Sequence, residues 1–137
     1  MTRKGIAVWN GGLKGGSGTV STESGVLKEQ QYSYNTRFED GIGTNPEELL
    51  GAAHAACFSM ALSNQLSQHG MTAETIHTTA AVTMENLTIS KIHLDVEATI
   101  PGADPAEFEA AAKEAKDGCP VSRLFKADIT MDAKLKS

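Results

Sequence analysis

The hydrophobic and polar positions of the chain alternate most regularly between residues 92 and 100. Five apolar residues alternate there with four polar ones, in the order Ile92, His93, Leu94, Asp95, Val96, Glu97, Ala98, Thr99 and Ile100. This period of two is typical of a strand with one buried face. Weaker alternation over residues 76–84 and 129–135 predicts two further strands, with a turn at Glu85-Asn86 before the regular strand.

A long helix is predicted to begin at Pro46 and to end at Gly70. Asn45 is suited to cap it, proline is favoured at the first helical position, and Glu48 would complete a capping box. Apolar residues surround most of the helix over residues 49–62. A helix of this kind is buried against more than one layer, or against a second copy of itself.

The remaining segments complete an α+β pattern. A second helix is predicted over residues 104–118, where Asp104 and Glu107 are suited to a capping box, and a short helix is expected after Pro120. Three strands separated by turns are predicted near the N-terminus, at residues 6–8, 19–22 and 26–34. We therefore expect one α+β domain over residues 1–137, built on an antiparallel sheet.

Composition and charge exclude several classes of protein. The 137 residues include 17 acidic and 12 basic side chains, which give a net charge of −5. A nucleic-acid partner is not expected, because such proteins normally carry a basic face. No membrane span is expected, because the longest nearly apolar stretch is shorter than the roughly 20 residues required. The first ten residues lack the apolar region of a signal peptide, so we expect a cytoplasmic protein.

Two cysteines, Cys57 and Cys119, are candidates for covalent chemistry. A reducing cytoplasm disfavours a permanent disulfide but permits a transient catalytic one, although isolated cysteines are most often inert and buried. If Pro120 begins a helix, the Cys119 thiol lies at its positive end, where a thiolate is stabilised. Cys57 lies deep in the long helix and would need a cation from elsewhere. Local electrostatics therefore favour Cys119 as the reactive thiol.

Arg37 is a candidate for that cation. The simpler interpretation is an exposed arginine at the end of a strand, paired with Glu39 or Asp40. Glu47 is a spare carboxylate, because Glu48 already suits the capping role, and the helix dipole is a sufficient reason for a carboxylate in the first turn of a helix.

His54 lies three residues before Cys57 on the same helical face. The two side chains could form a base and nucleophile pair, or two ligands of a metal site completed by Cys119 and either His77 or His93. A histidine packed at a helix contact is the interpretation that we favour.

Three segments of the chain resemble the osmotically inducible protein C / organic hydroperoxide resistance family. They are TNPEELLGAAHAACFSMAL at 44–62, NTRFE at 35–39 and GCPVSRLFKADITMD at 118–132. The motifs GAAHAACFS and GCPVS are similar to the osmotically inducible branch in particular. GTVSTESGVL near the N-terminus and DAKLKS at the C-terminus fit as well, so the resemblance covers nearly the whole chain.

The resemblance implies a thiol-dependent peroxidase that reduces alkyl or lipid hydroperoxides as an intertwined homodimer. Its sheet would wrap around a long central helix. Cys57 matches the cysteine that attacks the peroxide and Cys119 the resolving cysteine, which reverses the electrostatic preference. Arg37 matches the arginine that activates the thiolate, and Glu47 matches the carboxylate that orients this arginine. An external dithiol, in the family often a lipoyl group, would reduce the disulfide, and no metal or other cofactor is required.

Helix geometry adds a constraint on this site. Ten residues of continuous helix separate Glu47 from Cys57 by about 15 Å along the axis. Either the helix begins late, or Arg37 and Glu47 act on Cys57 of the partner subunit. The apolar circumference of the helix favours the second alternative.

Apolar residues near the thiols are expected to form a pocket for the organic part of the substrate. They are Leu49, Leu50, Phe58, Met60 and Phe125, each of which could equally belong to the core. Two other functions stay open at this point. One is a non-catalytic stress or binding module of the same fold, and the other is a metal-binding protein that uses His54, Cys57 and Cys119.

Overall fold

The computed structural model describes all 137 residues and divides them into two compact units, Met1–Leu49 and Leu50–Ser137. Its elements, in chain order, are β1 (Gly5–Asn10), β2 (Ser17–Thr22), β3 (Gln30–Tyr32), α1 (Tyr34–Phe38), α2 (Pro46–Gln68), β4 (Thr75–Glu85), β5 (Thr88–Thr99), α3 (Pro105–Gly118), α4 (Pro120–Leu124) and β6 (Asp128–Lys136). The α+β class is confirmed, whereas the expectation of one domain over residues 1–137 stays a prediction.

The first unit contains an antiparallel sheet in the order β1-β2-β3. The predicted turn at 23–25 is present, but β3 is much shorter than the strand predicted over residues 26–34. The amide of Thr22 donates to the carbonyl of Leu27 at 2.8 Å, which closes the chain into a longer loop. Glu29 follows with a φ of 48°, so regular pairing resumes only at Gln30.

The short helix α1 replaces the end of that predicted strand. Ser33 and Thr36 form a capping box, in which each side chain bonds the backbone amide of the other residue. This local capping fixes the first turn of a helix in spite of the aromatic residues around it. Arg37 is therefore on a helix, and its expected position at the end of a strand is wrong.

The long helix α2 begins where the sequence predicts. The side chain of Asn45 accepts a hydrogen bond from the amide of Glu48 at 2.8 Å, which confirms the cap. The carboxylate of Glu48 accepts from the hydroxyl of Thr44, also at 2.8 Å. The alternative in which this helix begins late is wrong, because Pro46 already lies in it.

The second unit contains a sheet in the order β4-β5-β6. β4 and β5 form the predicted antiparallel hairpin, with Asn86 and Leu87 at positive φ in its turn. The pairing of β5 with β6 corrects the expectation of a wholly antiparallel sheet, because these two strands are parallel. Parallel neighbours require a crossover connection, which α3 and α4 provide here.

The core of the second unit lies between one face of this sheet and two helices. Alternate residues of β5 are buried there together with one stripe of α2 and one stripe of α3. They are Ile92, Leu94, Val96 and Ala98 of β5, Phe58, Leu62 and Leu66 of α2, and Phe108, Ala111, Ala112 and Ala115 of α3. This core fixes the backbone positions that carry both cysteines. No helix of the chain has the length and apolar character that crossing a membrane requires.

Candidate active site

The two cysteines of the second unit lie side by side. The Cys119 thiol donates a hydrogen bond to the sulfur of Cys57, and the two sulfur atoms are 2.9 Å apart. Both are free thiols, and Cys119 is buried whereas Cys57 is partly exposed. A disulfide requires a sulfur separation of about 2.05 Å, so the pair needs a shift of only about 1 Å to become covalently linked.

Cys119 is held by the junction of two helices. Its amide donates to the carbonyl of Ala115 at 3.0 Å, which ends α3. Its own carbonyl accepts from the amide of Arg123 at 3.0 Å, in the first turn of α4. The predicted short helix after Pro120 is thereby confirmed, and the Cys119 backbone is bonded on both sides.

The environment of Cys57 favours the protonated thiol. Burial raises the pKa of Cys57 most, and its hydrogen bond and charge interaction with Cys119 raise this pKa further. The amide of Val121 donates to Cys57 and opposes this effect. The amide from the start of α4 thus stabilises a thiolate of Cys57, whereas the sequence predicts that this helix end stabilises Cys119. An additional cation is needed to make Cys57 a thiolate at neutral pH.

In the first unit, Arg37 and Glu47 form an ion pair. Nε of Arg37 donates to Oε1 of Glu47 at 2.8 Å. Arg37 is thereby bonded to the first turn of α2. The second oxygen of Glu47, Oε2, is buried and has no hydrogen-bond partner. Charge-assisted bonds of this kind fix the orientation of a guanidinium as well as its position.

Arg37 also borders an apolar cavity that the sequence reasoning missed. The cavity has a volume of about 290 Å³ and is lined by Trp9, Leu13, Tyr32, Ser33, Tyr34, Arg37 and Phe38. The rings of Trp9 and Tyr32 lie 5.4 Å apart between their centroids. The aromatic residues that flank Arg37 in the segment YSYNTRF are the sequence feature from which this cavity could have been predicted.

A separate groove runs beside Cys57 in the second unit. It has a volume of about 400 Å³ and is lined by Cys57, Met60, Ala61, Asn64, Gln65, Glu114, Ala115, Gly118 and Pro120. Of the five residues expected to bind substrate, Met60 lines this groove and is 77% exposed. Phe58 has no exposed surface and belongs to the core, while Phe125 packs edge-on against His54. Leu49 and Leu50 are both partly buried, on either side of the boundary between the two units.

His54 is packed at a helix contact, the interpretation that the sequence favoured. Its Nε2 lies 2.7 Å from the hydroxyl of Ser122 on α4, and both side chains are buried. Its other ring nitrogen, Nδ1, is buried without a hydrogen-bond partner. Burial lowers the pKa of His54, so this imidazole is neutral at pH 7.

The metal site considered from the sequence does not form. His93 lies on the opposite face of β5 from the buried residues, where its Nδ1 is 2.6 Å from the hydroxyl of Thr130. The three potential ligands that do converge within 4.8 Å are His93, Asp95 and Asp132, on the exposed face of the sheet. Neither cysteine belongs to this group. The ligand set of His54, Cys57 and Cys119 is therefore wrong.

Comparison with known proteins gives consistent matches. The family model for OsmC-like proteins matches residues 39–134. The chain is 55% identical to the peroxiredoxin OsmC of Escherichia coli over 98% of this chain and 97% of that protein. It is 24% identical to the organic hydroperoxide resistance protein OhrB of Bacillus subtilis, over 89% and 91% of the two chains.

The chain is also similar to a solved structure over nearly its whole length. A crystal structure from Legionella pneumophila, described as an organic hydroperoxide resistance protein OsmC, superimposes with a TM-score of 0.67. That protein is 26% identical to this chain, and the match covers 98% of this chain and 97% of the other.

Proposed function

This chain belongs to the OsmC-like protein family, and from that premise we propose that it is a thiol-dependent peroxidase that reduces organic hydroperoxides to alcohols. The observation that carries the proposal is the sulfur separation of 2.9 Å between Cys57 and Cys119. Two free thiols at this distance, one partly exposed and one buried, suit an attacking and a resolving cysteine. The whole chain, residues 1–137, acts as one functional domain in this proposal.

In the first step, the Cys57 thiolate attacks the peroxide. A bond forms between its sulfur and one peroxide oxygen while the O–O bond breaks. The organic oxygen leaves as an alkoxide and takes a proton to become the alcohol. Arg37 stabilises both the thiolate and the negative charge that develops on the leaving oxygen. Glu47 holds Arg37 in orientation through the bond from Nε.

In the second step, Cys119 resolves the oxidised Cys57. Its thiol attacks the sulfenic acid, an S–S bond forms, and the hydroxyl group leaves as water. An external dithiol then reduces the disulfide by exchange, and a lipoyl group is one candidate. We assign this cycle to a reducing compartment, the cytoplasm, where both cysteines return to thiols.

We further propose that the enzyme is a homodimer whose active sites are shared between subunits. The buried stripe of α2 faces the core, yet Ala52, Ala53, Ala56 and Met60 remain exposed on this helix. A second copy would cover these apolar residues. About 15 Å of helix axis lies between positions 47 and 57. An Arg37 from the other subunit would supply the cation that the local environment of Cys57 lacks.

The substrates are hydroperoxides with an apolar organic part. The aromatic cavity beside Arg37 and the groove beside Cys57 both offer apolar walls to such a group. Hydrogen peroxide has no group to occupy them. We expect kcat/KM for cumene hydroperoxide to exceed that for hydrogen peroxide by at least tenfold, and equal values would refute the apolar site.

Thiol loss and intact mass during titration with cumene hydroperoxide test the peroxidase proposal. Wild type is expected to form one intramolecular disulfide per chain. The Cys119→Ser variant should stop at a sulfenic or overoxidised Cys57, and Cys57→Ser should not react. If both thiols of wild type survive stoichiometric peroxide, the proposal fails and the chain is a non-catalytic binding module of this fold.

Mixed dimers test the shared site. As homodimers, Cys57→Ser subunits are expected to be inactive and Arg37→Ala subunits to be nearly inactive at neutral pH. A heterodimer contains one site with both defects and one site with neither, so each heterodimer should recover up to half of the activity of a wild-type dimer. If mass analysis verifies that heterodimers form and no activity is recovered, the active site is not shared between subunits.

A further inference from the structure

A buried polar contact joins the two segments that carry the cysteines. His54 on α2 and Ser122 on α4 meet at 2.7 Å between Nε2 and Oγ. His54 precedes Cys57 by three residues, and Ser122 follows Cys119 by three residues. The His54–Ser122 contact therefore joins the same two segments as the contact between the two sulfur atoms, about one helical turn away from it. Together the two contacts fix the start of α4 against the middle of α2.

Packing alone does not require a histidine at this position. The His54 ring is completely buried, yet its Nδ1 finds no hydrogen-bond partner. An unpaired polar atom in a buried site is costly, and an apolar side chain of similar size would avoid this cost. The ring also packs edge-on against Phe125, with 5.5 Å between the ring centroids. What the histidine provides beyond an apolar residue is the bond to Ser122.

We infer that His54 is a positioning residue for the resolving step, acting through Ser122 to hold Cys119 beside Cys57. The inference rests on the proposed function, because it concerns the fate of the Cys57 sulfenic acid. That acid has two competing reactions. Cys119 can attack it to give the disulfide and water, or a second hydroperoxide can oxidise it to the sulfinic acid and release a second alcohol.

The His54–Ser122 contact favours the first of these reactions. Formation of the disulfide needs the Cys119 sulfur to stay within about 1 Å of its bonding position while Cys57 carries an additional oxygen. Loss of the contact would free the start of α4, so Cys119 would spend less time close to Cys57. The attack on the first peroxide depends on Cys57 itself and would not slow by the same factor.

The test is the partition of oxidised Cys57 between disulfide and sulfinic acid. Wild type, His54→Leu, His54→Gln and Ser122→Ala are reduced, then treated with 1 to about 100 equivalents of cumene hydroperoxide and analysed by intact mass. We expect Ser122→Ala and His54→Leu to form the disulfide about tenfold more slowly, with a matching rise in sulfinic acid. The His54→Gln amide can still bond Ser122 and should retain most of the wild-type rate.

The first step is measured separately by trapping the sulfenic acid in the Cys119→Ser background, where a His54→Leu substitution should change the rate less than twofold.

A purely structural role of His54 would not produce rescue by glutamine together with an altered partition between disulfide and sulfinic acid. If His54→Leu does not fold, Ser122→Ala decides the question, because it removes only one hydroxyl. A wild-type partition in Ser122→Ala overturns the inference while leaving the peroxidase intact. A wild type that keeps both thiols overturns the proposed function instead.

Discussion

Arg37 donates from Nε to Oε1 of Glu47 at 2.8 Å, which ties the short helix α1 to the first turn of α2. The carboxylate is only 13% exposed, whereas the arginine is 38% exposed. A mostly buried anion thus orients a partly exposed cation. This bond fixes the direction of the guanidinium, as the activation of a thiolate in the proposed function requires.

Substitution of Glu47 by Gln should therefore lower activity without unfolding the chain. The amide keeps the size of the side chain but removes the charge that orients Arg37. A hydrogen bond to a charged group contributes about 1.5–3 kcal/mol, so kcat/KM for cumene hydroperoxide should fall roughly 10- to 100-fold. Glu48→Gln is the matched control, because the Glu48 carboxylate bonds the hydroxyl of Thr44 instead. Equal activity of the two variants would contradict the orienting role.

The pH dependence of peroxide attack should reveal the role of Arg37. Only the thiolate attacks, and both burial and Cys119 raise the pKa of Cys57. In Arg37→Ala these influences remain without the opposing cation, so the rising part of the pH–rate profile should move to higher pH. Each pH unit by which the profile moves lowers the rate of peroxide attack about tenfold at any pH below the pKa of Cys57. Stopped-flow measurements between pH 6 and 10, with Arg3→Ala as control, would detect it. A profile in Arg37→Ala that coincides with wild type would contradict the role.

Much of the fold is predictable from the sequence because its patterns are local. Alternation over residues 92–100 locates β5, and Asn45 with Pro46 locates the start of α2. The direction in which β6 pairs with β5 is not predictable from alternation, because both directions bury the same residues. The capping box of Ser33 with Thr36 also determines local structure, but the aromatic residues around it favour a strand and predict the wrong element there.

The site was less predictable because it depends on distant pairs. The cysteines are 62 residues apart, and the roles that we propose for them follow from the resemblance to a family rather than from local electrostatics. The position of Cys119 at a helix end predicts that it is the reactive thiol, whereas the amide of Val121 donates to Cys57. The bond between His54 and Ser122 spans 68 residues, and neither residue type alone predicts it.

Acid should destabilise the wild type more than a variant without His54. Burial lowers the pKa of His54 in the folded state, while the unfolded chain has a value near 6.5. The unfolded state therefore binds a proton first, and stability is lost as the pH falls through and below about 6.5. The free energy of unfolding of wild type, measured with urea between pH 7.5 and 5, should decrease more steeply than that of His54→Gln. Other groups titrate equally in both proteins, so parallel curves would contradict the prediction.

Gly18 on β2 should not tolerate a side chain. It pairs with Trp9 on one neighbouring strand and with Tyr32 on the other. A Cβ atom there would lie 2.7 Å from Cε1 of Tyr32, 2.8 Å from Cε3 of Trp9 and 2.5 Å from the carbonyl oxygen of Val8. The backbone contact cannot be relieved by a rotamer change, so Gly18→Ala should cost about 1–3 kcal/mol in the free energy of unfolding.

The same substitution should also affect substrate binding, because Trp9 and Tyr32 line the cavity beside Arg37. We expect a higher KM for cumene hydroperoxide and a smaller change for hydrogen peroxide. Gly5→Ala on β1 is the control, because a Cβ atom at Gly5 would have no neighbouring atom within 4 Å. Urea unfolding and steady-state kinetics of the two variants provide the comparison. If Gly18→Ala is as stable and as active as Gly5→Ala, the close approach of the two rings to this glycine has no energetic consequence.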